Sequence, residues 1–106
     1  MVECLELPPD NNGGIDLGAL MGLLRTRQIL SLYVEAVGTL AGAFLASGVV
    51  DRLSIHVAMR FGGRGPGFAE KPILGDDELS MEDASIERAG RDLILTKDLE
   101  GKCLPG

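Results

Sequence analysis

Between Asp16 and Arg27 the apolar positions Leu17, Leu20, Met21, Leu23 and Leu24 recur three and four residues apart, the spacing that lines one face of an α-helix. Asp16 stands where an N-cap belongs, and Arg25 and Arg27 fall in the last turn, where cations suit the helix dipole. Gly18 and Gly22 each weaken such a helix by ~1 kcal/mol relative to alanine, which predicts close packing against a neighbour. Then the pattern changes. Ile29-Leu30-Ser31-Leu32-Tyr33-Val34 is a short apolar run with β-branched ends, as expected of a strand buried on both faces of a parallel sheet. Thr39 to Ser47 reads as a second helix with Gly48 as its C-terminal cap. Beyond it Leu53, Ile55, Val57 and Met59 alternate with Ser54, His56, Ala58 and Arg60, a period of two. Strand, helix and strand in this order predict a βαβ unit with a right-handed crossover.

On either side of this unit the pattern is broken or local. Residues 1–14 gather Pro8, Pro9, Asn11, Asn12, Gly13 and Gly14, turn formers that predict a linker or the tail of a strand. Gly62-Gly63-Arg64-Gly65-Pro66-Gly67 interrupts regular structure, and the segment to Glu78 is irregular save for a short strand expected near Ile73 and Leu74. Ala84 to Arg88 and Asp92 to Thr96 flank Ala89-Gly90-Arg91, which predicts a C-terminal antiparallel hairpin with glycine at its turn. A domain over 15–97 followed by a flexible tail over 98–106 is the expected organisation.

At 106 residues the chain has room for one domain, since domains commonly run to ~100–150 residues. With 25% charged and 45% hydrophobic residues it has the composition of a globular protein, and a net charge of −6 argues against a nucleic-acid partner. Cys4 and Cys103 lie near opposite ends, without the spacing of a metal knuckle or redox pair; they read as free thiols of a cytoplasmic protein, the alternative being a bridge between the termini. Ile29 to Val50 also invites a membrane reading, because its 22 residues carry one charge, Glu35, and place Gly38 and Gly42 at the spacing of a helix-dimer motif. A buried strand running into a buried helix explains the same residues without a membrane, and no Lys/Arg cluster marks a cytoplasmic flank.

The chemistry-bearing stretch is Val34-Glu35-Ala36-Val37-Gly38-Thr39-Leu40, where a strand is expected to end and a helix to begin. Two readings fit it. A helix N-terminus directs unpaired N–H groups and partial positive charge at a phosphate, with Glu35 at the lip of the same crevice. Alternatively, Gly38 makes a turn and Thr39 caps the helix. His56 is the only histidine and has no second ligand in view; Asp76, Asp77, Glu78, Glu82 and Asp83 read as a solvated acidic loop rather than a cation site; Arg60 and Arg64 either meet a phosphate or are plain exposed charge.

The segments Ile15-Asp16-Leu17, Leu32 to Leu45, Gly48 to Leu53, Val57-Ala58-Met59-Arg60-Phe61-Gly62-Gly63 and Arg88 to Leu95 together resemble, in order, the C-terminal reductase domain of the bifunctional riboflavin-biosynthesis deaminase-reductases. The resemblance implies an α/β, dihydrofolate-reductase-like mixed sheet, NADPH as hydride donor, and reduction of the ribose of 5-amino-6-(5-phosphoribosylamino)uracil to a ribityl chain. It matches Glu35 to the strand-end glutamate that faces the substrate sugar. Gly38 and Thr39 match the turn that approaches the cofactor's pyrophosphate. No catalytic residue and no metal ligand is assigned. The family's usual two glycines after that glutamate are Ala36 and Val37 here, and Met59 replaces a common proline. The family's N-terminal half-domain has no counterpart in these residues, so the resemblance implies a partial reductase domain over 15–97, with a missing half or a homo-oligomer as the expected partner. The competing expectation is a non-catalytic remnant that assembles through an exposed sheet edge.

Overall fold

The computed structural model describes residues 2–11, 13–63, 67 and 79–99. The chain divides between Glu35 and Ala36 into two units. The first begins with a tight reversal. Asp10 N–H donates to the Gly14 carbonyl, Gly14 N–H donates to Asp10 Oδ1, and Pro9 and Ile15 form an antiparallel bridge. Gly13 sits at φ 83°, a conformation glycine adopts without steric cost. The turn formers of this stretch therefore make a structured reversal that delivers Asp16 to the helix start.

Helix α1 spans Leu17–Thr26, and Asp16 caps it by accepting from the Ala19 N–H at 3.0 Å. Its far end is a Schellman motif: Ile29 N–H donates to the Leu24 carbonyl and Gln28 N–H to the Arg25 carbonyl, both at 3.0 Å. Gln28 occupies the left-handed position at φ 61°, where glycine is customary. Arg27, the C-cap, also clamps Glu3 with two parallel contacts of 2.7 and 2.8 Å. Close packing of Gly18 and Gly22 is not found: a Cβ at Gly22 would meet nothing within 4 Å, and one at Gly18 would meet only the Asp16 cap. The apolar face of α1 is half-buried rather than enclosed.

The expected strand from Ile29 to Val34 is a correction. No ladder forms along it among the described residues, and instead of being buried on both faces it leaves Leu30 93% and Tyr33 80% exposed. Among the described residues β1 (Arg52–Val57) forms its ladder with β3 (Asp92–Asp98), and Ile29 to Val34 takes part in none. The first strand of the expected βαβ unit is therefore not a strand among the described residues. The mixed α/β class and the antiparallel C-terminal hairpin stand.

In the second unit, helix α2 spans Gly38–Ser47 and ends at Gly48, a left-handed C-cap at φ 77°. Ala41, Phe44 and Leu45 are the buried apolar side chains among the described residues, and Gly38 and Gly42 are buried beside them on the same helix. Residues 38, 41, 42 and 45 follow the three-and-four spacing of one helical stripe. Removing Phe44 and Leu45 from water contributes ~1.5–3 kcal/mol each.

Strands β1, β3 and β2 (Ser85–Ala89) form a three-stranded antiparallel sheet in the order β1-β3-β2. Its register sorts side chains by face. Leu53, Ile55 and Val57 stand level with Lys97, Leu95 and Leu93, and Ile86 is level with Leu95, giving a mostly apolar face. Arg52, Ser54 and His56 stand level with Asp98, Thr96 and Ile94 on the opposite, more polar face. The hairpin between β2 and β3 turns at Gly90, whose φ of 63° is what a type II′ turn needs at its first central residue. Asp51 extends the β1–β3 pairing by accepting from the Leu99 N–H at 2.8 Å. The short strand expected near Ile73 and Leu74 and the tail beyond Leu99 lie outside the described residues.

Candidate cofactor turn

The start of α2 is built from a residue that cannot cap and one that must be glycine. Val37 is the N-cap, in extended conformation at φ −136° and ψ 170°, and its hydrocarbon side chain offers no acceptor. Gly38 is the first helical residue, buried, at φ 66°. A side chain in that left-handed conformation costs ~1–2 kcal/mol, which accounts for glycine at this point. Thr39 is the second residue of the helix and is exposed, so it is not the cap. The simple-turn reading is therefore half corrected: Gly38 makes the turn, but the helix starts without a side-chain cap.

A helix entered this way leaves its first N–H groups without a side-chain acceptor and concentrates partial positive charge there. No acidic residue in the first turn of α2 offsets that charge. Such a terminus has the donor set a pyrophosphate requires. Ala36 is half-buried, and Val37 is 63% exposed, so the isopropyl group projects largely into solvent at the mouth of the turn. Glu35 ends the first unit as an exposed carboxylate.

The remaining candidates separate into structural and solvated groups. Asp83 is held by Lys97 at 2.8 Å, and Lys97 also donates to the Ser80 carbonyl, so this member of the acidic run anchors the approach to β2. The Lys97 hydrogen bond, its own backbone hydrogen bond and the nearby charge hold the Asp83 carboxyl below its ordinary range. Glu82 is exposed, its N–H donating to Ser80 Oγ, while Asp76, Asp77 and Glu78 fall outside the described residues. His56 is exposed on the polar sheet face, and among the described residues no group of three or more His, Cys, Asp or Glu gathers around a cation position. Arg60 is exposed and Arg64 lies outside the described residues.

Cys4 is an exposed free thiol, and Cys103 is beyond the described residues. Among the described residues no helix is long and apolar enough to cross a membrane. Sequence reasoning missed the two pairs that fasten polar ends to regular elements, Arg27 with Glu3 and Lys97 with Asp83. The second joins residues close to one hairpin and could have been sought among i to i+14 neighbours; the first joins a tail to a helix end and leaves no periodic trace.

A family model described as the RibD C-terminal domain matches residues 2–95. The chain is also 46% identical over 57 residues to the riboflavin biosynthesis protein RibD of Escherichia coli strain K12. That alignment covers 54% of this chain and 16% of the relative, so the chain corresponds to a small part of the longer protein.

Proposed function

From the premise that the chain belongs to the RibD C-terminal domain family, we propose that it is the C-terminal part of an NADPH-dependent 5-amino-6-(5-phosphoribosylamino)uracil reductase of riboflavin biosynthesis, acting in the cytoplasm. The family match over residues 2–95 carries this reading, and the glycine-started, uncapped helix supports its cofactor half. Gly38 and Thr39 would meet the pyrophosphate through the backbone N–H groups of the first turn of α2. NADPH, when bound, supplies the hydride that, with a proton, reduces the ribose to a ribityl chain. Glu35 would face the sugar as a hydrogen-bond acceptor for its hydroxyl groups.

Hydride transfer needs donor and acceptor carbons held in near-attack geometry, to which well-oriented active sites contribute ~7–11 kcal/mol. The chain has one uncapped turn and one exposed carboxylate toward that task, so a complementary half-domain is the proposed partner. The expected result is no substrate-dependent NADPH oxidation by the purified chain alone, with NADPH binding still measurable by calorimetry. Turnover by the chain alone that disappears in Glu35→Ala would mean that one half suffices.

A second reading, a non-catalytic assembly module, is favoured by a different observation. Among the described residues the outer edges of β1 and β2 are unpaired, and the apolar residues Ile29, Leu30, Leu32, Tyr33, Val34 and Val37 are all substantially exposed. Unpaired edges and exposed apolar side chains both promote association. Absence of NADPH binding, together with a stable homo-oligomer by light scattering, would favour the module over the reductase.

A further inference from the structure

We draw no further inference here: the strongest candidate, the exposed apolar run from Ile29 to Val37 that precedes the second helix, already serves the association reading above, and nothing in the structure shows what covers it.

Discussion

Val37 and Gly38 stand side by side at the entry to α2. Gly38 adopts φ 66° at the head of α2, and Val37, one residue earlier, carries a branched side chain that is largely exposed. If the turn receives a pyrophosphate, the double variant Ala36→Gly/Val37→Gly removes the methyl and isopropyl groups next to it and tightens NADPH binding by about tenfold, equivalent to ~1.4 kcal/mol. The same variant is less stable, because each glycine widens the unfolded ensemble at a cost of up to ~1 kcal/mol. Calorimetric titration of both proteins at matched salt, paired with thermal melts, separates affinity from stability. Equal affinity in the two would show that Val37 does not obstruct the ligand.

Among the elements, β3 is the one on which the others depend, since it pairs with both β1 and β2. Lys97 on β3 ties down the segment before β2 by way of Asp83 and the Ser80 carbonyl. Lys97→Met keeps much of the stem and removes the charge. It should speed amide hydrogen exchange at Ala84, whose N–H donates to the Met81 carbonyl, while leaving the β1–β3 ladder protected. The pH dependence has a definite sign. The Asp83 carboxyl is depressed by its bond to Lys97, so the pair's contribution is present above the unfolded carboxylate pKa of ~3.9 and is lost as pH falls through the lower folded value. That acid-side loss should be missing from Lys97→Met, and an identical acid profile in the two proteins would rule out the anchor.

How much of this was legible in the sequence follows the range of each interaction. The Asp16 cap, the Gly48 cap, the alternation of Leu53, Ile55 and Val57, and the Gly90 hairpin are set by residues within a few positions of one another, and each was legible. The partner of β1 was not. Alternation says which face a strand buries but not whose ladder it joins, and β3, with which β1 pairs, lies some forty positions away. At the candidate turn, Gly38 was legible as a glycine the backbone requires. The cap was misplaced onto Thr39 because a hydroxyl residue beside a glycine matches the statistical pattern, whereas the helix starts one residue earlier behind a side chain with no acceptor.

At the scale of the whole molecule, the balance between enclosed and exposed apolar surface matters most. Ala41, Phe44 and Leu45 are buried, whereas Leu30 at 93%, Tyr33 at 80% and Ile86 at 68% face solvent. Leu30→Lys together with Tyr33→Lys should leave the unfolding free energy within about 0.5 kcal/mol per site of the parent's, because exposed positions carry little packing energy. If the association reading holds, the same pair should lower the mass found by light scattering toward that of one chain. Unchanged mass would place self-association elsewhere or leave the chain monomeric throughout.

The late position of the central strand sets a timetable for folding. Ser85 and Thr96, which meet across the hairpin, are 11 positions apart, while Arg52 and Asp98, which meet across β1 and β3, are 46 apart. Closing the longer loop costs roughly two further doublings of length, ~1.2 kcal/mol, before any contact repays it. The hairpin should therefore form early and recruit β1 afterwards, and on the ribosome β1 must wait, unladdered, until β3 has emerged. Gly90→Ala, which strains the early turn, should chiefly slow refolding, whereas Ile55→Val on β1 should chiefly speed unfolding in stopped-flow chevrons. Reversed effects would mean that docking of β1 comes first, and a nascent chain would then have to hold that edge open against every neighbour it meets.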